Sequence, residues 1–228
     1  MLERLLRRPP TSRLLLAMLA VGIVTAALIV AATRPAHARP AHAARAAITP
    51  RQVAFRNEMR KLWEEHVVWT RLSIVSFTFS LPDLKPTEQR LLRNQVDIGN
   101  AVKPFYGGRA GNRLTQLLRQ HILIAVQILG DVKSHHNAAL RRDLRGWYAN
   151  ANEIARFLHH ANPRHWSLAA LRTMMRRHLT LTTQEAVAEL SGHYQASVHD
   201  FDRVEQEILG MADMLSTGII QQFPGRFS

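Results

Sequence analysis

The chain has 228 residues, 46% of them apolar and 21% charged, a composition that excludes a disordered or low-complexity protein. It holds 30 Lys or Arg against 17 Asp or Glu, a formal charge of +13, and no cysteine. The missing cysteine excludes disulfide scaffolds, thiolate metal sites and thiol chemistry.

Residues 1–43 differ from the rest. Arg4, Arg7, Arg8 and Arg13 precede an uncharged apolar run from Leu14 to Ala32. Two small-residue sites follow, Ala36-His37-Ala38 and Ala41-His42-Ala43. A basic start, an apolar run and an A-x-A site predict a secretory signal. The alternative is an uncleaved anchor, because the apolar run, at 1.5 Å per residue, spans roughly 28 Å, nearly the hydrocarbon core. Either way the basic flank stays inside and the remainder is translocated. The expected location is therefore extracytoplasmic: secreted, periplasmic, at the cell surface, or tethered to the cytoplasmic membrane. Without residues 1–43 the chain keeps 24 basic and 16 acidic residues. With no long basic run, this predicts a solvated basic surface and no nucleic-acid partner. Residues 33–47 are rich in Ala, Pro, Arg and His and predict a linker.

The bundle domain is expected over 49–224. Its apolar residues recur at spacings of three and four, with no sustained alternation. Pro and Gly break the pattern at 81–86, 104–111, 161–163 and near Gly192, and a further break falls at 134–137. Helices are thus predicted near 51–80, 87–103, 112–133, 137–160, 167–191 and 195–221. Short connections make neighbours antiparallel, so the predicted fold is an all-α up-and-down bundle of about six helices.

A weak internal repeat suggests three helical hairpins. His66, His121 and His178 are 55 and 57 residues apart, each midway along an odd-numbered helix. Asp97, Glu153 and Asp213 follow them at 31, 32 and 35 residues on the even-numbered helices. On a helical wheel these carboxylates fall away from the apolar stripes, which suits surface ion pairs. The runs His66-Val-Val-Trp-Thr-Arg71, Asn94-Gln-Val-Asp-Ile-Gly99, Pro104-Phe-Tyr-Gly107, Met174-Met175-x-x-His178-Leu and Met211-Ala-Asp-Met-Leu-Ser216 resemble a family of uncharacterised bacterial all-helical proteins. The likeness covers most of 55–224. It implies an all-helical fold and carries over no catalytic residue.

Two motif-like stretches lose their apparent meaning in helical context. Asp200-Phe201-Asp202 has the letters of a nucleotide-sugar metal motif. In a helix, i and i+2 point about 200° apart, so both carboxylates cannot hold one ion. Gly107-Gly108-Arg109-Ala110-Gly111 lacks the strand before it and the Gly-Lys-Ser/Thr ending of a phosphate loop. Trp63, Trp69, Trp147 and Trp166 are expected in the core.

The histidines are more informative. His121 is central in the stripe of Leu114, Leu118, Ala125 and Ile128, and His66 is central in its own. His178, Thr182 and Glu185 form a polar ribbon at i, i+4 and i+7. Polar groups on core faces are paired or cost about 1–3 kcal/mol each. One reading is therefore a set of buried pairs that fixes helix register. A second is a divalent-metal site of His66, His121, His178 and Glu185. A third is a small-ligand pocket with Thr70, Arg71, Thr182 and Glu205. Neither Glu-x-x-His nor His-Glu-x-x-His occurs. The expected function is an exported binding or sensing module with an interior His/Glu cluster. A metal-dependent enzyme and a purely structural or assembly protein are the alternatives.

Overall fold

The computed structural model describes residues 48–228. The expected signal or anchor lies outside the described residues. The chain divides into two units, and the second, Ala46–Ser228, is the bundle.

The bundle is built from α1 (Pro50–Phe79), α2 (Leu84–Lys133), α3 (Asn137–Ala161), α4 (Leu168–Leu190) and α5 (Tyr194–Gln222), closed by a 3-10 turn at Pro224–Arg226. The described residues contain no strand. Nor does any described helix have the length and apolarity to cross a membrane.

The helix ends follow local chemistry. Thr49 caps α1 by accepting the N–H of Gln52 at 3.2 Å, and Pro50 supplies the first helical residue without wasting a donor. The Thr49 hydroxyl also donates to the Phe227 carbonyl at 2.6 Å, tying the start of the bundle to its end. Ser80 ends α1 in the left-handed region, with φ 53°. Ser167 caps α4.

Five elements replace the six predicted helices, and the difference lies at 104–111. No loop forms there. Helical geometry continues through Pro104 and fails only at Gly107, with φ 81° and ψ 166°, a conformation suited to glycine. Pro104 is tolerated because it and Asn100, whose carbonyl its ring displaces, both face solvent. The chain reverses at this point. Thr115 donates to the Gln95 carbonyl (3.4 Å) and Arg119 to the Leu92 carbonyl (3.2 Å). The two arms of α2 approach so closely that a Cβ on Gly111 would lie 2.5 Å from the Gly99 carbonyl oxygen.

Packing follows chain order and then closes. α1 meets α2, α2 meets α3, α3 meets α4, α4 meets α5, and α5 returns to α1. The core runs along the inside of this ring and includes Met59, Trp63, Ile98, Leu117, Leu179 and Ile208. Trp147 and Trp166 are buried as expected, whereas Trp69 is half-buried beneath Arg90.

Candidate functional site

His66 on α1, His121 on the second arm of α2 and His178 on α4 all point into the bundle and are buried. Their rings cluster. The centroids of His66 and His178 are 5.8 Å apart, and those of His121 and His178 are 6.3 Å apart. Helical hairpins of similar arm length place mid-helix residues at one level, which is why three distant histidines meet.

Each imidazole faces a polar side chain 29 residues further along the chain. His66 Nδ1 meets Gln95 Nε2 at 3.2 Å, and His121 Nδ1 meets Asn150 Oδ1 at 2.8 Å. His178 Nδ1 lies 3.3 Å from Glu207 Oε2. Asn94 and Asn150 also brace the histidine-bearing arms of α1 and α2. Asn94 donates to the Leu62 carbonyl (2.9 Å) and Asn150 to the Leu117 carbonyl (3.1 Å), each four residues before its histidine.

The Asn150 amide assigns the tautomer of His121. Because Asn150 Nδ2 is committed to Leu117, its Oδ1 faces His121, whose Nδ1 must carry the proton. His121 Nε2 is then a bare lone pair, buried and without a partner among the described residues. Gln95 Nε2 donates to Leu91 O (2.8 Å) and Asn94 Oδ1 (3.2 Å) and faces His66 Nδ1. Burial, followed by the neighbouring His178 and His121, holds His66 well below the ordinary histidine range. Burial and then His178 push His121 down to about 3, against the opposing bond from Asn150.

The centre is rich in acceptors. Gln95 Oε1, Glu207 Oε1, His121 Nε2 and Thr182 Oγ1 are buried without a hydrogen-bond partner among the described residues, while His178 Nδ1 and Glu207 Oε2 are within ion-pair distance of each other but not aligned as a hydrogen bond. The Glu207 side chain is only 4% exposed. A carboxylate in such a place needs a cation or donors. As placed, no three His, Asp or Glu among the described residues form a ready-made metal cage.

Glu185, expected beside the histidines, is held elsewhere. Arg71 Nη1 donates to Glu185 Oε1 (3.0 Å) and to Ser197 Oγ (2.7 Å), and Nη2 reaches Glu189 Oε2 (3.4 Å). The physical reason is height: two helical turns put Glu185 about 10 Å along the axis from His178. Burial pushes the Glu185 carboxyl up to about 7, with Arg71 opposing and Glu189 adding to the rise. Arg71 thus serves two carboxylates rather than standing free as a counter-charge for a ligand. Thr70 spends its hydroxyl on the His66 carbonyl at 2.7 Å. Glu205 is half-buried, two residues before Glu207 and about 200° around the helix from it.

The remaining candidates are surface pairs. Asp97 meets Arg93 (3.4 Å) and Arg90 (3.7 Å), Asp213 meets Arg60 (2.5 Å), and Glu153 meets Arg113. Partly exposed pairs of this kind contribute about 0–1 kcal/mol. Asp200 turns to Arg203 at 3.0 Å while Asp202 is exposed, so they do not share an ion.

Sequence reasoning missed Gln95, Asn150 and Glu207. The signal was available: a constant separation of 29 from each histidine, where the carboxylates considered instead drifted from 31 to 35. In comparisons with known proteins, the chain matches no family model, no curated protein and no solved structure.

Proposed function

We propose that this chain is an extracytoplasmic binding module whose interior cluster takes one small cationic guest, in the first instance a divalent transition-metal ion. The observation that carries this reading is the surplus of unpartnered acceptors around Glu207 and His121 Nε2 in a buried centre. Imidazole lone pairs and a carboxylate suit zinc or iron(II). Asn150 on His121 Nδ1 is the kind of outer partner that orients a ligating histidine. His178 and Glu207 would turn toward the ion, with His66 beside them at the same level. An ammonium group would meet the same acceptors with positive charge and N–H donors in place of coordination bonds.

The test is titration of the metal-free full chain with zinc or, without oxygen, iron(II), followed by elemental analysis, with primary amines as a second arm. One equivalent of metal per chain is expected. Glu207→Gln and His121→Leu should each weaken binding by about 100-fold, while Glu205→Gln leaves it unchanged. Failure of both metals and amines to bind would overturn the reading.

A second reading rests on the shared 29-residue spacing. Three His–partner pairs on successive hairpins would descend from one repeated unit and fix helix register. Loss of binding in no variant, together with a higher melting temperature for Glu207→Leu, would favour it.

A further inference from the structure

The two ends of the bundle differ sharply in charge. One end is made by the segments 48–58, 99–115, 153–173 and 212–228, which hold nine Lys or Arg and three carboxylates. The other end, made by 74–92, 126–142 and 184–202, holds five against seven. The net positive charge of the bundle is therefore gathered at one pole.

That pole has two further properties. α1 begins there, so the chain enters the bundle at the basic end, and the apolar run 14–32 joins it through only 33–47. The same end carries an open recess of about 310 Å³ lined by Asn162, Pro163, Arg164, His165, Gln221 and Gln222. Arg164 and His165 line it and are exposed, and Arg109 is exposed at the same end of the bundle, where α2 reverses. Asn162 and Gln222 already donate to the Gly218 and Ala161 carbonyls, so what the recess offers a phosphate oxygen is Arg164 with the exposed Gln221 amide. Lys and Arg near an anionic leaflet each add attraction within a Debye length of the surface, so a clustered pole is held far more strongly than the same charges dispersed.

We infer that the basic pole of the bundle, centred on Arg109, Arg164 and the recess between 162–165 and 221–222, docks on the anionic phospholipid headgroups of the membrane from which the chain emerges. The inference rests on the extracytoplasmic reading of residues 1–43. It sets an orientation: the pole with Phe79 and Tyr194 faces away from the bilayer.

The missing cysteine makes the test clean, since any introduced thiol is unique. The full chain is labelled at Asn57→Cys (basic pole, outside the recess) or Gln195→Cys (opposite pole). Each is reconstituted into vesicles of phosphatidylcholine alone, or with about a third phosphatidylglycerol, carrying a headgroup-linked energy acceptor. Transfer from the Asn57→Cys label should rise at least about twofold when phosphatidylglycerol is present and fall back at high salt. The Gln195→Cys label should not respond. Arg109→Glu with Arg164→Glu should abolish the rise, and Lys85→Glu with Arg141→Glu should leave it intact. Equal transfer in both lipids, or equal loss in both double variants, would overturn the docking. Close approach in neutral lipid that ignores salt would show a tether acting alone, which refutes docking and leaves the anchor standing. A chain recovered without its first 38 or 43 residues would remove the anchor, and the phosphatidylglycerol response of that mature chain would still decide the docking.

Discussion

Gly218→Ala should destabilise the bundle by about 3 kcal/mol, whereas Gly210→Ala, two turns earlier in the same helix, should stabilise it by about 0.5–1 kcal/mol. A Cβ on Gly218 would sit 2.0 Å from Trp166 Nε1 and 2.7 Å from its Cδ1. The indole has nowhere to go. It is 1% exposed, packs on Tyr106, and its backbone carbonyl is held by the His159 ring nitrogen at 2.7 Å. The α3–α4 turn is pinned to the same spot, because Asn162 Nδ2 donates to the Gly218 carbonyl at 2.9 Å. An added methyl must therefore push α5 off that turn. Gly210 is exposed with nothing near its missing Cβ, so alanine there only removes backbone freedom from the unfolded chain. For a domain of this size the first change should lower Tm by about 6–12 °C. Thermal unfolding of the two variants side by side checks it, and shifts of the same sign would sink the close-contact argument.

Acid should weaken the metal-free bundle, and Glu185 sets how steeply. His121 titrates at about 3 in the fold against an ordinary value of 6.5, and His66 is displaced in the same direction. Their contribution to stability is complete above 6.5 and is lost as pH falls toward the folded values. Glu185 runs the other way. Its folded value is about 7 against an ordinary 4.5, so its contribution is complete below 4.5 and is lost as pH rises through 7. Between those limits, unfolding lets two imidazoles take up protons while one carboxyl releases its own. The parent should therefore lose stability at a slope of about one proton, near 1.4 kcal/mol per pH unit. Glu185→Gln removes the release, so its slope should approach two protons. Urea unfolding with a chelator from pH 5 to 6.5 measures both slopes. Identical slopes would mean that Glu185 is ionised in the folded chain, with Arg71 outweighing burial.

The 29-residue spacing shows how near the site came to being legible. In an antiparallel hairpin the sum of two facing residue numbers is constant, so His66 with Gln95 and His121 with Asn150 mark equal heights on their hairpins. Repeated chemistry at that spacing is a contact signal. It was obscured because Gln95 and Asn150 are neutral amides and only Glu207 is an acid. A search for carboxylates alone therefore settled on Asp97, Glu153 and Asp213, which form surface ion pairs.

The sequence by itself determined an all-helical bundle, most of its breaks and the inward direction of three histidines, because these follow from apolar spacing and local backbone chemistry. Only the tertiary structure decided that Gly107 reverses a helix instead of opening a loop. That outcome depends on two arms touching at Gly99 and Gly111. It alone also decided that Arg71 takes Glu185 and that Glu207, not Glu185, meets His178. A periodic pattern fixes the face a side chain occupies. Which partner it meets depends on axial stagger and on competition between elements, and neither is written in any one helix.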